Sequence, residues 1–166
     1  MLGAGSSIKP FSVYIYLDKK VTELKSAIRP KVDETYFSLP ESIPFPTSED
    51  LHSHGIFYPP HNPDYDQEEL NQLPPLLVLS HGGPTGATST TLDLSIQFWT
   101  SRGFGVLDVN YRVSTGYGTT YRKRLNGKWG IVDIDDCVNG ALYLAKRGDI
   151  DKEKMSIRGG SAGGYT

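Results

Sequence analysis

The segment Met155-Ser156-Ile157-Arg158-Gly159-Gly160-Ser161-Ala162-Gly163-Gly164 decides how the rest of this chain is read. A short run with strand character leads into Gly-x-Ser-x-Gly, the pattern in which a serine sits on a sharp turn between a parallel strand and the helix that follows. Such a turn needs strained dihedrals at the serine and neighbours without side chains where strand and helix approach. Gly159 and Gly163 meet that need. The amide of the next residue, Ala162, falls at a helix N-terminus and can face an oxygen that is gaining negative charge. Ser161 is therefore a candidate nucleophile. The competing reading is a glycine-rich loop that holds a serine by chance, in a chain with 18 glycines. The strand before the turn and the helix start after it favour the first reading.

Upstream, Leu76-Leu77-Val78-Leu79 runs directly into Ser80-His81-Gly82-Gly83-Pro84. A continuous apolar run reads as a strand buried on both faces. A His-Gly-Gly phrase after such a strand is a setting for a second oxyanion donor, and Gly83 is the candidate because a backbone without Cβ comes close to substrate. For His81 itself, a histidine satisfied by backbone is as good a reading as a direct part in the site.

From Leu76 onward strands and helices alternate, the pattern of a parallel sheet with helices on both faces. Leu92, Ile96 and Trp99 fall at helical spacing, Leu94 and Phe98 widen the stripe, and Gly103 ends it. Phe104 to Val109 is the next strand. Asn110 to Gly118 then forms a loop at its carboxyl end, where ligand sites of doubly wound sheets collect. Ile134, Cys137, Val138, Ala141, Leu142 and Ala145 repeat at the 3.6-residue period and put Cys137 in the core. Earlier in the chain, Val13 to Leu17 and Val21 to Leu24 read as a hairpin about Asp18-Lys19-Lys20. Residues 39 to 50, with Pro40, Pro44 and Pro46, read as a crossing between two parts. His52 to Tyr58 reads as an outer strand, and the proline-rich and acidic stretch 59 to 75 as a surface connection.

Composition narrows the function classes. A net charge of −2 over 166 residues makes no electrostatic case for nucleic acid or an anionic membrane as partner. No apolar stretch approaches the ~20 residues that span a bilayer. One cysteine allows no internal disulfide, no Asn-x-Ser/Thr sequon occurs, and no signal peptide is visible, so a cytoplasmic location is expected. His52, His54 and His61 fit no zinc spacing and read as surface residues. Asp133, Asp135 and Asp136 read as carboxylates complementing a helix N-terminus rather than as a metal cluster, and Arg122-Lys123-Arg124 as a solvated face. Neither a Gly-x-Gly-x-x-Gly nor a Walker sequence is present, so neither metal nor cofactor is expected. Arg112, at a strand end, either braces the loop through a buried carboxylate or meets substrate, and bracing is favoured. Tyr111 beside it is a candidate pocket residue.

Taken together, Ser80-His81-Gly82-Gly83-Pro84-Thr85, Asn110-Tyr111-Arg112 with Ser114-Thr115-Gly116-Tyr117-Gly118, Trp129-Gly130 before Asp133, and Arg158 through Thr166 resemble the prolyl oligopeptidase family of serine peptidases. The likeness is strongest to the acylaminoacyl-peptidase and dipeptidyl-peptidase-like branch. The resemblance implies an α/β fold: the N-terminal half of an α/β-hydrolase doubly wound sheet from residue 39 to 166, preceded over 1 to 38 by a short β remnant of a propeller blade. It implies a catalytic Ser161, an oxyanion hole from Gly83 and Ala162, bracing or pocket roles for His81, Tyr111 and Arg112, and a peptide as substrate. An esterase, or a non-catalytic module of the same fold, is the alternative. Triad order in such folds runs Ser, Asp or Glu, then His. All four histidines precede Ser161, so the acid and the base are expected beyond Thr166, and the 166 residues alone are expected to be inactive. The family has glycine where this chain has Val113. If φ is positive there, a β-branched residue is strained, and Val113→Gly is expected to stabilise.

Overall fold

The computed structural model describes residues 1–65 and 72–166. Its centre is a pair of apolar strands that bury both faces. In chain order the elements are β1 (Leu2–Ser6), β2 (Lys9–Leu17), β3 (Lys20–Ser26), β4 (Glu41–Thr47), β5 (Leu51–Tyr58), β6 (Leu76–Ser80), α1 (Leu94–Thr100), β7 (Gly105–Asn110), α2 (Gly118–Lys123), α3 (Val132–Arg147), β8 (Met155–Gly159) and α4 (Ala162–Tyr165). One sheet has the order β4-β5-β7-β6-β8. β6 pairs parallel with β7 and with β8, while β5 pairs antiparallel with β4 and β7.

Period-two alternation sends neighbouring side chains of the central strands to opposite faces. Leu77, Val106, Ile56 and Tyr58 meet Ile96 and Trp99 of α1 on one face. Leu76, Val78, Leu107 and Val109 meet Cys137, Ala141 and Leu144 of α3 on the other. Helices on both faces of a mixed sheet, parallel over β6, β7 and β8, make the doubly wound α/β arrangement that the sequence predicts. α3 lies close against the sheet at Gly140, where a Cβ would come 2.9 Å from Leu107. No helix among the described residues is long and apolar enough to cross a membrane.

Several local readings need correction. The proline-rich crossing at 39 to 50 contains a strand, β4, at the sheet edge. Ile43 and Phe45 face the core, while Pro44 and Pro46 point outward. An edge strand tolerates proline because half its amides face no partner. β5 consequently lies one place inside the edge, so 52 to 58 is not outermost. In α1, Leu94 and Phe98 are exposed, and the buried positions are Ile96, Gln97 and Thr100. Ser101 caps the helix, and Gly103 serves the turn beyond it with φ +85°. Along α3, Cys137 is buried as expected, but Ile134, Val138 and Leu142 of the same apolar stripe stay exposed. The surface connection at 59 to 75 lies partly outside the described residues.

The hairpin about Asp18 and Lys19 is present. Both turn residues have positive φ, 49° and 62°, as a two-residue loop matched to strand twist requires. It belongs to a separate three-stranded sheet with β1, a strand in the first residues that the sequence reading did not single out. The Leu92 amide donates to the Ser6 carbonyl at 2.8 Å and joins this sheet to the segment before α1.

Candidate active site

Ser161 stands at the carboxyl end of β8, between that strand and α4, with φ 55° and ψ −121°. That conformation is costly for a residue with a Cβ. Its neighbours explain why it persists. A Cβ on Gly159 would lie 2.0 Å from the Gly163 carbonyl oxygen, and a Cβ on Gly163 would lie 2.0 Å from the Ser80 carbonyl oxygen. Strand, turn and helix therefore touch backbone to backbone. The close approach dictates the turn, and the turn lifts the serine hydroxyl to the exposed rim of the sheet.

β6 is the parallel neighbour of β8, with Ser80 opposite Gly159, so the loop after β6 lies beside the serine. A Cβ on Gly82 would lie 3.4 Å from the Ser161 Cβ. Gly83 has φ +134°, a conformation that favours glycine. Gly83, Ser161 and Ala162 line one open depression of about 550 Å³ together with Trp129 and Tyr165, whose rings meet edge to face at 6.1 Å. Among the described residues neither the Gly83 nor the Ala162 amide has an acceptor. The sequence reading did not foresee Trp129 and Tyr165 on this wall.

His81, Tyr111 and Arg112 do not line the depression. Tyr111 is 1% exposed, its ring stacks on that of His81 at 4.4 Å, and its hydroxyl donates to the His81 carbonyl at 2.8 Å. It is a bracing residue rather than a pocket residue, and burial pushes its phenol up to about 12. His81 has Nδ1 2.8 Å from the Gly82 carbonyl oxygen and Nε2 2.8 Å from Ser114 Oγ. Burial holds its pKa below the usual imidazole value, against the raising effect of the Gly82 contact. Both nitrogens are thus engaged away from Ser161.

Arg112 is fully buried and braces through a carboxylate. Its Nε donates to Asp136 Oδ1 at 2.9 Å, its backbone amide to Asp136 Oδ2 at 2.7 Å, and its Nη2 to Ser48 Oγ at 2.7 Å. Asp136 also accepts from Thr47 Oγ1 at 2.7 Å and Ser53 Oγ at 3.0 Å. One ion pair therefore ties β4, β5, the loop after β7 and α3 together. Asp136 and Asp133 do more than complement a helix end. Asp133 accepts from the Gly130 amide at 2.7 Å and from Thr166 Oγ1 at 2.9 Å, joining the Trp129 loop to the end of α4. Helical spacing carried the missed signal: positions 133, 136, 137, 140 and 144 share one face, so two of three adjacent carboxylates had to be buried.

The remaining candidates stay outside the site. His54 is half-buried and stacks on Tyr117 at 4.2 Å, rather than lying free on the surface, and burial lowers its pKa. Cys137 is a core thiol that burial pushes up to about 12, which makes it inert. Arg122 and Lys123 are exposed as expected. Asp108, buried beneath Thr88 Oγ1, which donates to it, is pushed up to about 6 by desolvation. Among the described residues no group of three His, Cys, Asp or Glu is placed to hold a metal ion.

A serine on a strained strand-to-helix turn at the carboxyl rim of a doubly wound sheet, with helices on both faces, defines the α/β-hydrolase class. Comparison with known proteins narrows this further: residues 90–166 match the prolyl oligopeptidase family. It is 37% identical over 91 residues to dipeptidyl aminopeptidase BIII of Pseudoxanthomonas mexicana, covering 55% of this chain and 13% of that protein. It is 36% identical over 91 residues to acylamino-acid-releasing enzyme 1 of Oryza sativa subsp. japonica, covering 55% of this chain and 12% of that one. The structure of a puromycin-hydrolyzing peptidase of Mycobacterium tuberculosis superposes with a TM-score of 0.92 at 40% identity, over 97% of this chain and 25% of that one. The chain spans a quarter or less of the length of these relatives.

Proposed function

We propose that Ser161 is the nucleophile of a serine peptidase that hydrolyses short peptides, with a free or acylated aminoacyl group on the acyl side of the scissile bond. The observation that carries this reading is the serine's strained, exposed position beside two backbone amides that have no acceptor among the described residues. The hydroxyl oxygen attacks the peptide carbonyl carbon, the carbonyl oxygen takes negative charge facing the Gly83 and Ala162 amides, and the amine leaves with a proton. Water then attacks the acyl-serine and releases the acid. Losing one such amide costs about 3 to 4 kcal/mol of transition-state stabilisation in serine hydrolases.

Ser161 needs a base to be a competent nucleophile. His81 does not fill that role, because its nitrogens are bonded to Gly82 and Ser114. The proposal assigns the base and its acidic partner to residues outside these 166, in agreement with the order Ser, acid, His. Similarity to a dipeptidyl aminopeptidase, to acylamino-acid-releasing enzymes and to a puromycin-hydrolyzing peptidase supports an aminoacyl amide as the group cleaved.

The test uses the full-length gene product that carries this chain, a fluorophosphonate label, and chromogenic aminoacyl and acyl-aminoacyl anilides. Labelling and turnover are expected, and both are expected to vanish in Ser161→Ala. Turnover that survives Ser161→Ala would overturn the assignment.

A further inference from the structure

Two consecutive peptide planes of the donor loop are each fastened by a named side chain. The Tyr111 hydroxyl donates to the His81 carbonyl, and the His81 ring reaches forward to the Gly82 carbonyl. A peptide unit is rigid, so the Gly82 carbonyl and the Gly83 amide belong to one plane and point in opposite directions. Whatever fixes the Gly82 oxygen also aims the Gly83 N–H. Gly83 has no Cβ, and its φ of +134° lies where glycine moves freely, so its own backbone does little to hold that plane.

Counting protons at His81 places one on Nδ1, and burial, which disfavours a charged ring, selects the neutral form. A carbonyl only accepts, so the contact at 2.8 Å to the Gly82 oxygen requires a proton on Nδ1. A neutral ring then has a bare Nε2, which needs a donor. Ser114 Oγ, at 2.8 Å, supplies it by turning its single proton away from the Tyr111 carbonyl. That carbonyl keeps the Ser114 backbone amide at 2.9 Å, so no group is left unpaired. Stacking on Tyr111 fixes the ring plane.

We propose that His81 is a positioning residue of the oxyanion site: Ser114 and Tyr111 hold it as the Nδ1–H tautomer, and it aims the Gly83 amide at Ser161 by fixing the Gly82 carbonyl. This rests on the peptidase reading above. It adds to that reading a role for a histidine that never exchanges a proton with substrate.

The first test needs no activity. Long-range nitrogen-15 NMR of the histidine rings in the full-length gene product, with His81 assigned by the signal lost in His81→Leu, should show His81 protonated on Nδ1 and bare on Nε2. The opposite tautomer would overturn the proposal. The second test uses the full-length gene product. His81→Leu should lower kcat about 10²-fold, the effect of one misplaced oxyanion donor, with KM changed less than about threefold. His81→Asn, which keeps an N–H near the place of Nδ1, should recover at least about tenfold of that loss, as expected when the donor hydrogen bond carries the effect. A kcat within about threefold of the parent in His81→Leu would overturn the proposal, as would equal losses in the two variants. Should His81→Leu fail to fold, Tyr111→Phe keeps the stack and removes one fastening, and it should lower kcat by about tenfold at unchanged KM. Ser161→Ala, run alongside, separates the two ideas: turnover surviving in it sinks the nucleophile assignment, whereas Ser161-dependent turnover with normal kcat in His81→Leu sinks only the positioning role.

Discussion

Ser161 and Val113 are both non-glycine residues held in backbone conformations that favour glycine, with φ 55° and φ 145°, yet their surroundings are opposite. Ser161 is exposed, and its hydroxyl caps nothing. Its strain is imposed from outside by Gly159 and Gly163, where strand, turn and helix meet backbone to backbone. Val113 is 5% exposed and packs in the main core. There the chain is held by Arg112, the preceding residue, through the ion pair to Asp136. Strain imposed by steric contact leaves a side chain free for chemistry. Strain imposed by a buried charge network consumes the side chains around it, and what it yields is a rigid loop beside the site.

The contrast breaks first at Gly163. Gly163→Ala should cost more than about 4 kcal/mol of unfolding free energy, because the new Cβ would sit on the Ser80 carbonyl and only backbone can move away. Gly160→Ala, one residue before the serine, meets nothing within 4 Å and should stay within about 0.5 kcal/mol. Urea denaturation of the two variants reads the difference. Equal effects would show that the turn is not sterically imposed.

The braced loop breaks at Asp136. Asp136→Asn leaves the Arg112 guanidinium buried without its countercharge and should cost about 3 kcal/mol, by the same measurement. Asp135→Asn is the control: that carboxylate is partly exposed and 4.0 Å from the guanidinium, and its loss should cost less than about 1 kcal/mol. If the two substitutions cost the same, the loop is not held by the buried pair.

How much of this was legible in the sequence follows the range of the interactions involved. The elbow was readable because its requirements are local: two glycines and a serine at fixed spacing between a strand and a helix start. The alternation of β6, α1, β7, α3 and β8 was readable from periodicity for the same reason. β4 was not, since Pro44 and Pro46 are turn signals in isolation and become tolerable only at a sheet edge, a fact about neighbours rather than about residues 39 to 50. Asp136 was partly readable: its type and helical face were on the page, but its partners Thr47, Ser53 and Arg112 come from three distant segments. For Tyr111 the sequence left pocket and bracing roles open, because a tyrosine beside a site can turn either way. Its direction is set by the His81 carbonyl, which accepts its hydrogen bond.

Val113 is the finest probe of the comparison, because two opposing effects meet there. The positive φ on which the sequence reading made strain conditional is present. The side chain is also buried, so replacing it loses packing worth about 1.5 to 3 kcal/mol while relieving strain of about 1 to 3 kcal/mol. The simple expectation that Val113→Gly stabilises is thereby reduced to a net change near zero. Comparing Val113→Gly with Val113→Ala removes most of the packing loss from the question. At an ordinary position glycine is less stable than alanine by about 0.5 to 1 kcal/mol, owing to its freedom in the unfolded chain. At φ 145° alanine keeps the strain that glycine sheds, so the order should invert, with the glycine variant melting higher by a few degrees. The usual order at this position would mean that the loop bends to suit its side chain, and that Arg112 and Asp136 do not hold it.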